Sequence, residues 1–155
     1  MKLFDSLFYT NIYEGNIVDL KETHRVDELT SYDGVPTIYY DICTHNSGNK
    51  VGTIELRLTV EGPMYYYGHV GYNILTWQRG HSYAYQACLV LFEIAKTEFN
   101  MDELIITCSP DNRASYKTLC KLNGELVEEV NVPEDHLLYK MGETKKCIFK
   151  YRIGK

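Results

Sequence analysis

A change of periodicity at Tyr83 is the feature that most restricts the fold of this chain. Before that residue the sequence reads as extended, and from there to Phe99 apolar side chains recur at spacings of three and four. The stripe consists of Ala84, Ala87, Cys88, Leu91, Ala95 and Phe99. Such spacing predicts an amphipathic helix that packs one face against a sheet. The apolar run from Glu103 to Cys108 then predicts a short strand buried on both faces.

A strand, a helix and a second strand in this order predict a right-handed crossover with the two strands parallel. The first of these strands lies within residues 64–75, which follow a turn at Glu61 to Pro63 and read as extended throughout. Residues 37–45 and 51–60 flank the sequence NSGN and are rich in β-branched and aromatic side chains. That pattern predicts an antiparallel hairpin with positive φ angles in its turn.

The remaining segments complete the prediction. Ile17 to Thr23 reads as a strand, and Ala114 to Leu122 reads as a second helix that ends at Asn123 and Gly124. The chain closes with two alternating strands joined by residues 133–146. We therefore predict the α/β (α+β) class, with a mixed, mainly antiparallel sheet flanked by helices in a single domain over residues 1–155.

Composition excludes several classes of function. The 155 residues are 45% hydrophobic and 24% charged, as in a compact globular domain, and the net charge of -5 with no basic cluster predicts no nucleic-acid or membrane partner. Five cysteines without a CxxC pair predict reduced, mostly buried thiols. The N-terminus lacks the apolar core of a signal peptide, so we expect a cytoplasmic protein. The histidines outside the central region, His24, His45 and His136, lack metal-ligand spacing, which predicts no metal.

The junction between the extended run and the helix, Arg79 and Gly80, has the features of an anion site. The first amides of a helix have no internal acceptor, and the helix dipole adds positive charge there. Gly80 would let the backbone approach a phosphate, small Ser82 and Ala84 leave room, and Arg79 adds a cation. The alternative is a plain turn and helix cap, because neither the dinucleotide-binding nor the P-loop glycine pattern is present.

Two motifs together resemble the GNAT family of N-acetyltransferases over roughly Val51 to Val130. The pyrophosphate loop of that family runs Arg or Gln, two residues, Gly, one residue, and Gly or Ala; here it reads RGHSYA, with Ser82 at its central glycine. The second motif reads NRAS from Asn112 to Ser115, followed by KLNG from Lys121 to Gly124. The C-terminal sequence is similar to that of a bacterial subgroup of unassigned substrate. The N-terminal third lacks the family's long helical pair, which implies an unusual acceptor side.

The resemblance implies a GNAT-like fold in which acetyl-CoA lies between the crossover strands. The cofactor positions that it implies are Ile74, Thr76, Arg79, Gly80, His81, Ser82, Tyr83, Ala84, Asn112 and Ser115. Ile74 and Thr76 would pair with the pantetheine arm through their backbone, and residues 81–84 would bind the pyrophosphate through their amides. Acetyl-CoA is the expected co-substrate. Homodimers are common among relatives, and the final two strands would offer an edge for pairing.

Catalysis needs a base for the acceptor ammonium and an acid for the departing thiolate. His69 occupies the place where many relatives carry a catalytic carboxylate, and its alternative role is a strand histidine bonded to a neighbouring carbonyl. Glu55 is the second candidate base, and its alternative role is an ion pair with Arg57. Leu119 stands where many relatives have a tyrosine acid.

For the acid, Tyr116 and Cys120 are nearby substitutes, and direct transfer of a proton from the amine to the thiolate is a further alternative. These residues predict transfer of acetyl from acetyl-CoA to a primary amine of a small molecule or a peptide. Two other readings stay open: a catalytically weak acyl-CoA-binding module, and an interaction protein that uses an aromatic sheet edge. The run Tyr65 to Tyr67, among 14 tyrosines in total, would form an acceptor pocket or, by the favoured interpretation, cross-strand packing in a hairpin.

Overall fold

The computed structural model describes residues 9, 11–31 and 33–154, so the N-terminal segment considered as a signal peptide lies outside the described residues. The first half of the chain forms a five-stranded sheet in which every neighbouring pair is antiparallel. Its strands, in spatial as in chain order, are β1 (Ile12–Tyr13), β2 (Val18–Val26), β3 (Thr37–Thr44), β4 (Lys50–Arg57) and β5 (Val70–Ile74). The predicted hairpin is β3 and β4, and Gly48 supplies the positive φ of its turn.

The second half forms a three-stranded antiparallel sheet and three helices. The elements are α1 (Tyr83–Phe99), β6 (Glu103–Cys108), α2 (Arg113–Lys121), β7 (Glu125–Asn131), α3 (Leu137–Lys140) and β8 (Lys145–Arg152). In this sheet β8 lies between β6 and β7. The predicted fold class, a mixed α and β structure with antiparallel sheets flanked by helices, is confirmed.

One hydrophobic core joins the two sheets through α1. Ala87, Cys88 and Leu91 on the inner face of α1 are fully buried, as the helical stripe predicts. They belong to one cluster with apolar side chains of both sheets, among them Ile54 of β4 and Ile106 of β6. Burial of such side chains, at about 25 cal/mol per Å² of apolar surface, is the main force that holds sheets and helix together. The same packing fixes the ends of β5, α1 and α2, where the predicted cofactor residues lie.

Residues 64–68 correct the prediction of a continuous extended segment. Gly62–Tyr66 forms a short 3-10 helix with Pro63 in its first turn, and β5 begins only at Val70. Proline presets the helical φ, while Gly68 at φ 75° turns the chain back into the sheet. Aromatic and β-branched composition predicted a strand here, but the proline and the two flanking glycines decide the local structure.

The two crossover strands do not pair with each other. β5 pairs with β4 and β6 pairs with β8, while Gly68, just before β5, forms an isolated antiparallel bridge with Ile106. Because Gly68 turns the backbone just before β5, the strand separates from β6 instead of continuing a ladder. The strand β6 is also not buried on both faces, since buried and half-buried side chains alternate along it. A gap opens between β5 and β6.

The described part of the N-terminal third is compact. Residues 14–17 between β1 and β2 contain no helix, and among residues 27–36 the described ones form turns only. The long helical pair that the N-terminal third is predicted to lack is not found among its described residues. Among the described residues, none of the helices has both the length and the apolar composition to cross a bilayer.

Candidate functional site

A cleft of about 450 Å³ lies between the end of β5 and the N-termini of α1 and α2. Eight of the ten predicted cofactor residues line it: Ile74, Arg79, Gly80, Ser82, Tyr83, Ala84, Asn112 and Ser115. The other lining residues are Tyr72, Asn73, Gln78, Ala114 and Thr118. Residues far apart in the chain are thus brought to one opening, which we call the cofactor cleft. Thr76 and His81 do not line it: Thr76 lies in a 3-10 turn over Thr76–Gln78, and the His81 ring packs 5.2 Å from that of Tyr83.

The loop before α1 has a backbone that favours glycine at two places. Gly80 has φ 91°, and a Cβ built there would meet nothing within 4 Å. Glycine is therefore favoured at this position by the backbone conformation and not by a lack of space. Ser82, the N-cap of α1, is left-handed at φ 60° and makes no side-chain capping bond. This conformation costs a non-glycine residue about 1 kcal/mol or more. Because α1 begins at Tyr83, the amides of its first turn lack intrahelical acceptors and face the region of the loop.

Arg79 closes one edge of the cofactor cleft. Its Nε donates a hydrogen bond to the carbonyl oxygen of Ile74 at 3.2 Å, which uses one of the five N–H donors of the guanidinium group. The charge therefore stays next to the loop while the side chain is held by the end of β5. An anion at the start of α1 would meet this cation together with the helix amides.

The opposite wall is the N-terminus of α2. Asn112 caps this helix, and its Oδ1 accepts a hydrogen bond from the Ser115 amide at 3.2 Å. The Ser115 hydroxyl in turn lies 3.1 Å from the hydroxyl of Tyr72, which reaches across from β5. Burial raises the pKa of Tyr72 to about 12, more than the bond to Ser115 lowers it, so the phenol is protonated at neutral pH. The two hydroxyls bridge the cofactor cleft.

Sequence reasoning missed Tyr72. Alternation along β5 places Val70 and Tyr72 on the core-facing side, opposite Leu56 and Ile54 of β4. That signal indicated an inward ring, but the partner hydroxyl lies 43 residues further along the chain.

The predicted acid Tyr116 does not reach the cofactor cleft. Its ring packs edge-on against Phe149 at 5.4 Å, and the Arg113 guanidinium lies 5.1 Å from its centre. Leu119 is fully buried and its carbonyl oxygen accepts a hydrogen bond from Tyr151. The helix face on which the family resemblance places a tyrosine is therefore filled by core packing here.

His69 acts as a bridge between the two sheets. Its backbone amide donates to the Ile105 carbonyl at 2.7 Å, and its Nδ1 accepts from the Ile105 amide at 2.9 Å. Burial, with a smaller contribution from Arg57, lowers the pKa of His69 to about 4. The ring is therefore neutral at pH 7, with its proton on Nε2 and its basic nitrogen occupied. This arrangement weighs against His69 as the base. Its ring instead supplies a hydrogen-bond acceptor that joins the two sheets.

Glu55 lies on the outer face of the sheet beside Gly71 of β5. Its Oε2 pairs with Nη2 of Arg57 at 3.1 Å, as the ion-pair interpretation expected. A Cβ at Gly71 would stand 3.3 Å from the Glu55 side chain and 3.0 Å from Arg57, so the glycine lets both pack against the β5 backbone. About 30% of the Glu55 side chain stays exposed. The carboxylate thus lies against the β5 backbone, on the face of the sheet away from the core.

A group of three titratable side chains lies outside the cofactor cleft. His45 Nδ1 lies 2.8 Å from Oδ1 of Asp19, which also accepts a hydrogen bond from Gly15, and Glu14 is close enough that the three ligand atoms lie within 4.8 Å of one another. Sequence spacing did not reveal this group, because Glu14 precedes β2, Asp19 lies in β2 and His45 lies in the turn after β3. All five cysteines are reduced thiols, and Cys120 is the exposed one.

Comparison with known proteins gives one family. A family model described as "Acetyltransferase (GNAT) domain" matches residues 14–125. No curated protein sequence matches this chain significantly. The family match covers β2 to α2 and so includes both motifs that border the cofactor cleft.

Solved structures with the same fold include three acetyltransferases. A GNAT acetyltransferase from Bacillus anthracis is 15% identical, with a TM-score of 0.60, and the match covers 74% of this chain and 66% of that one. The ribosomal-protein-S5-alanine acetyltransferase from Vibrio fischeri is 19% identical, with a TM-score of 0.60 and coverage of 75% and 61%. This chain thus spans less than two thirds of the length of both. RimL, a ribosomal L7/L12 alpha-N-protein acetyltransferase in complex with coenzyme A, is 13% identical, with a TM-score of 0.67 and coverage of 92% and 98%.

Proposed function

The chain belongs to the GNAT acetyltransferase family, and we propose that it transfers acetyl from acetyl-CoA to a primary amine. The observation that carries the proposal is the cofactor cleft, where eight of the residues implied by the family resemblance line one opening. A helix N-terminus, a left-handed loop and a cation meet at one end of it. Such a combination suits a pyrophosphate. Two of the structures with the same fold belong to enzymes that act on ribosomal proteins, which supports an amine acceptor.

In this proposal the cofactor enters over α1. The pyrophosphate binds at residues 79–84, where Arg79 and the first amides of α1 balance its charge. The pantetheine arm runs into the gap that opens where β5 leaves β6, toward Tyr72 and Ser115. Asn112, whose Oδ1 already caps α2, has its NH2 group for hydrogen bonds with the arm.

Glu55 is the base that we favour. It lies beside Gly71 of β5 on the outer face, where an acceptor could approach without crossing the core, and about 30% of its side chain is exposed. His69 is the weaker candidate, because taking up a proton at Nδ1 would break the bond from the Ile105 amide. In the reaction the ammonium group first gives one proton to Glu55, directly or through water. The amine nitrogen then forms a bond to the acetyl carbon, the carbon–sulfur bond breaks, and the second nitrogen proton passes to solvent as the amide forms.

The Tyr72 hydroxyl is the donor that we favour for the departing thiolate. It stays protonated at neutral pH, and Ser115 at 3.1 Å can return a proton to it. The product thiol then gains the proton that the phenol gives up, and solvent restores that proton through Ser115. Tyr72 would thus take the role that the family resemblance assigns to the position of Leu119.

A two-part experiment tests the proposed function. Saturating CoA should raise the melting temperature, and a panel of primary amines and peptides with acetyl-CoA should release free thiol. Thermal stabilisation without thiol release would favour the alternative of an acyl-CoA-binding module. Absence of both effects would overturn the proposal, since a ligand bound only by the native state must raise its stability.

A further inference from the structure

A histidine and two carboxylates meet beside the five-stranded sheet, away from the cofactor cleft. Glu14 lies between β1 and β2, Asp19 lies in β2, and His45 follows β3. Each offers one ligand atom such that the three atoms lie within 4.8 Å of one another. An imidazole nitrogen and carboxylate oxygens are ligands that proteins use for divalent transition metals. We call these residues the histidine–carboxylate group.

Local backbone bonds bring the three side chains together. The Gly15 amide donates a hydrogen bond to Oδ1 of Asp19 at 3.1 Å, which holds the residue after Glu14 against β2. The His45 amide donates to the Ile17 carbonyl oxygen at 2.9 Å and ties the turn after β3 to the same connection. Only glycine allows this approach, because a Cβ at Gly15 would clash with a carbonyl oxygen at the start of β2. The backbone therefore sets the positions of the three side chains.

Asp19 is the buried member of the group, and one of its oxygens is available to a ligand. About 10% of its side chain is exposed. Its Oδ1 accepts the bond from Gly15 and lies 2.8 Å from Nδ1 of His45. Among the described residues, none donates a hydrogen bond to Oδ2. Because most buried polar atoms in proteins have a partner, an available oxygen on a buried carboxylate points to a ligand.

The negative charge of the group is not balanced by a lysine or an arginine. Within the described part of the chain, Asp19 pairs with His45 alone and Glu14 takes part in no ion pair. The nearby cation Lys50 instead pairs with Asp41 at 3.2 Å. With a neutral imidazole the group carries two negative charges. A divalent cation between the ligand atoms would neutralise both, and at such short distances the attraction is strong.

The spacing of the ligand atoms suits a first-row metal. Zinc binds imidazole nitrogen and carboxylate oxygen at about 2.0–2.2 Å, so two ligands of one ion lie roughly 3.0–3.4 Å apart. Nδ1 of His45 and Oδ1 of Asp19 are 2.8 Å apart, and they need to separate by only about 0.5 Å. His45 can move that far, since 38% of its side chain is exposed. The imidazole nitrogen favours a transition metal over calcium or magnesium, which prefer oxygen ligands.

We propose that Glu14, Asp19 and His45 bind a divalent transition-metal ion such as zinc. The ion replaces the proton shared between Nδ1 of His45 and Asp19, and water completes its coordination. Once bound, it joins the connection between β1 and β2 to the end of β3. This inference departs from the prediction of no metal, because the three ligands lack a sequence motif and meet only in the fold. It is independent of the proposed acetyl transfer, since none of the three residues lines the cofactor cleft.

Calorimetric titration with zinc chloride tests the assignment. Because exposed thiols also bind zinc, the parent protein for all variants carries Cys120→Ser. We expect one ion per chain. Loss of a single outer partner weakens metal sites about tenfold or more, so His45→Asn and Glu14→Gln should each weaken binding by at least about tenfold. His24→Asn and Glu28→Gln, exposed residues outside the group, should bind zinc as the parent does.

Two results of the titration would overturn the inference. The first is the absence of zinc binding by the parent, and the second is equal affinity in the parent and in both ligand variants. Loss of the fold does not confuse the comparison, because asparagine at position 45 can still donate to Asp19 and Glu14 is exposed. The melting temperatures without metal check this directly. Zinc should raise the melting temperature of the parent and leave that of His45→Asn nearly unchanged.

Cobalt(II) chloride reports the ligand type by its visible spectrum. The parent should show the bands of nitrogen and oxygen coordination, and His45→Asn should lose them. A thiolate charge-transfer band in the parent would instead place the ion at a cysteine and overturn the assignment. Calcium chloride that binds the parent more tightly than zinc, with no loss in His45→Asn, would overturn the choice of a transition metal.

Discussion

The cofactor cleft and the outer face of the five-stranded sheet are held together by different kinds of interaction. In the cofactor cleft the predicted cofactor residues lie at the ends of β5, α1 and α2, and local bonds such as that from Arg79 to Ile74 support them. On the outer face the groups are side chains from separate strands, Glu55 and Arg57 of β4 against Gly71 of β5. We therefore expect changes in the loop before α1 to alter cofactor affinity, and changes at the proposed base on the outer face or at the proposed acid Tyr72 to alter turnover.

The largest effect should come from Glu55→Gln. Removal of the proposed base should lower kcat by about 100-fold, the lower part of the range for general acid–base catalysis, and leave CoA affinity unchanged. Steady-state thiol release and a CoA titration of the same preparation measure both. Glu28→Gln, an exposed carboxylate outside both regions, is the control. A full rate in Glu55→Gln would remove this residue from the mechanism.

A smaller loss of turnover should follow from Tyr72→Phe. This change keeps the ring and removes the hydroxyl, so we expect kcat to fall about tenfold or more without loss of the fold. If Tyr72 and Ser115 act as one relay, the double variant Tyr72→Phe and Ser115→Ala should be little slower than the single Tyr72 variant. If the fold loss of kcat in the double variant equals the product of the two single losses, the two hydroxyls act independently.

The features of the site differ in how far the sequence predicts them. Gly80, Ser82 and Asn112 act through their own backbone and the next few residues, so a short motif indicates their role. The Tyr72–Ser115 contact and the bond from the Ile105 amide to His69 join residues 43 and 36 positions apart, and no local pattern encodes them. Composition misled at residues 64–68, where the restricted φ of Pro63 and the turn at Gly68 outweigh the β propensity of three tyrosines.

His69 links the two sheets, and its effect should appear in the stability of the fold. Its pKa is about 4 in the folded protein and about 6.5 when unfolded, so between these values the unfolded chain binds more protons and stability falls as the pH falls. The wild type should lose on the order of 2 kcal/mol between pH 6.5 and 4 through this group, after allowance for its partial exposure. Urea unfolding of wild type and His69→Asn, whose Oδ1 can accept from Ile105, measures the difference. An identical pH dependence in both would exclude this role.

The smallest expected effect is that of Ser82→Gly. Glycine removes the cost of the left-handed conformation at φ 60° but gains entropy in the unfolded chain, so the net stabilisation should stay below about 1 kcal/mol. Thermal unfolding without ligand measures it. CoA affinity should stay equal or increase slightly, since the loop keeps its shape. A clear destabilisation would contradict the conformation assigned to this position.

A CoA titration of two variants at Ser82 tests the central claim, that the loop before α1 holds the pyrophosphate. Ser82→Asn and Ser82→Asp introduce side chains of nearly the same size, and both tolerate the left-handed conformation, so they differ mainly in charge. If the pyrophosphate lies against this loop, the aspartate variant should bind CoA at least about tenfold more weakly than the asparagine variant at low salt. Equal affinities by isothermal titration calorimetry would contradict the assignment of the cofactor cleft.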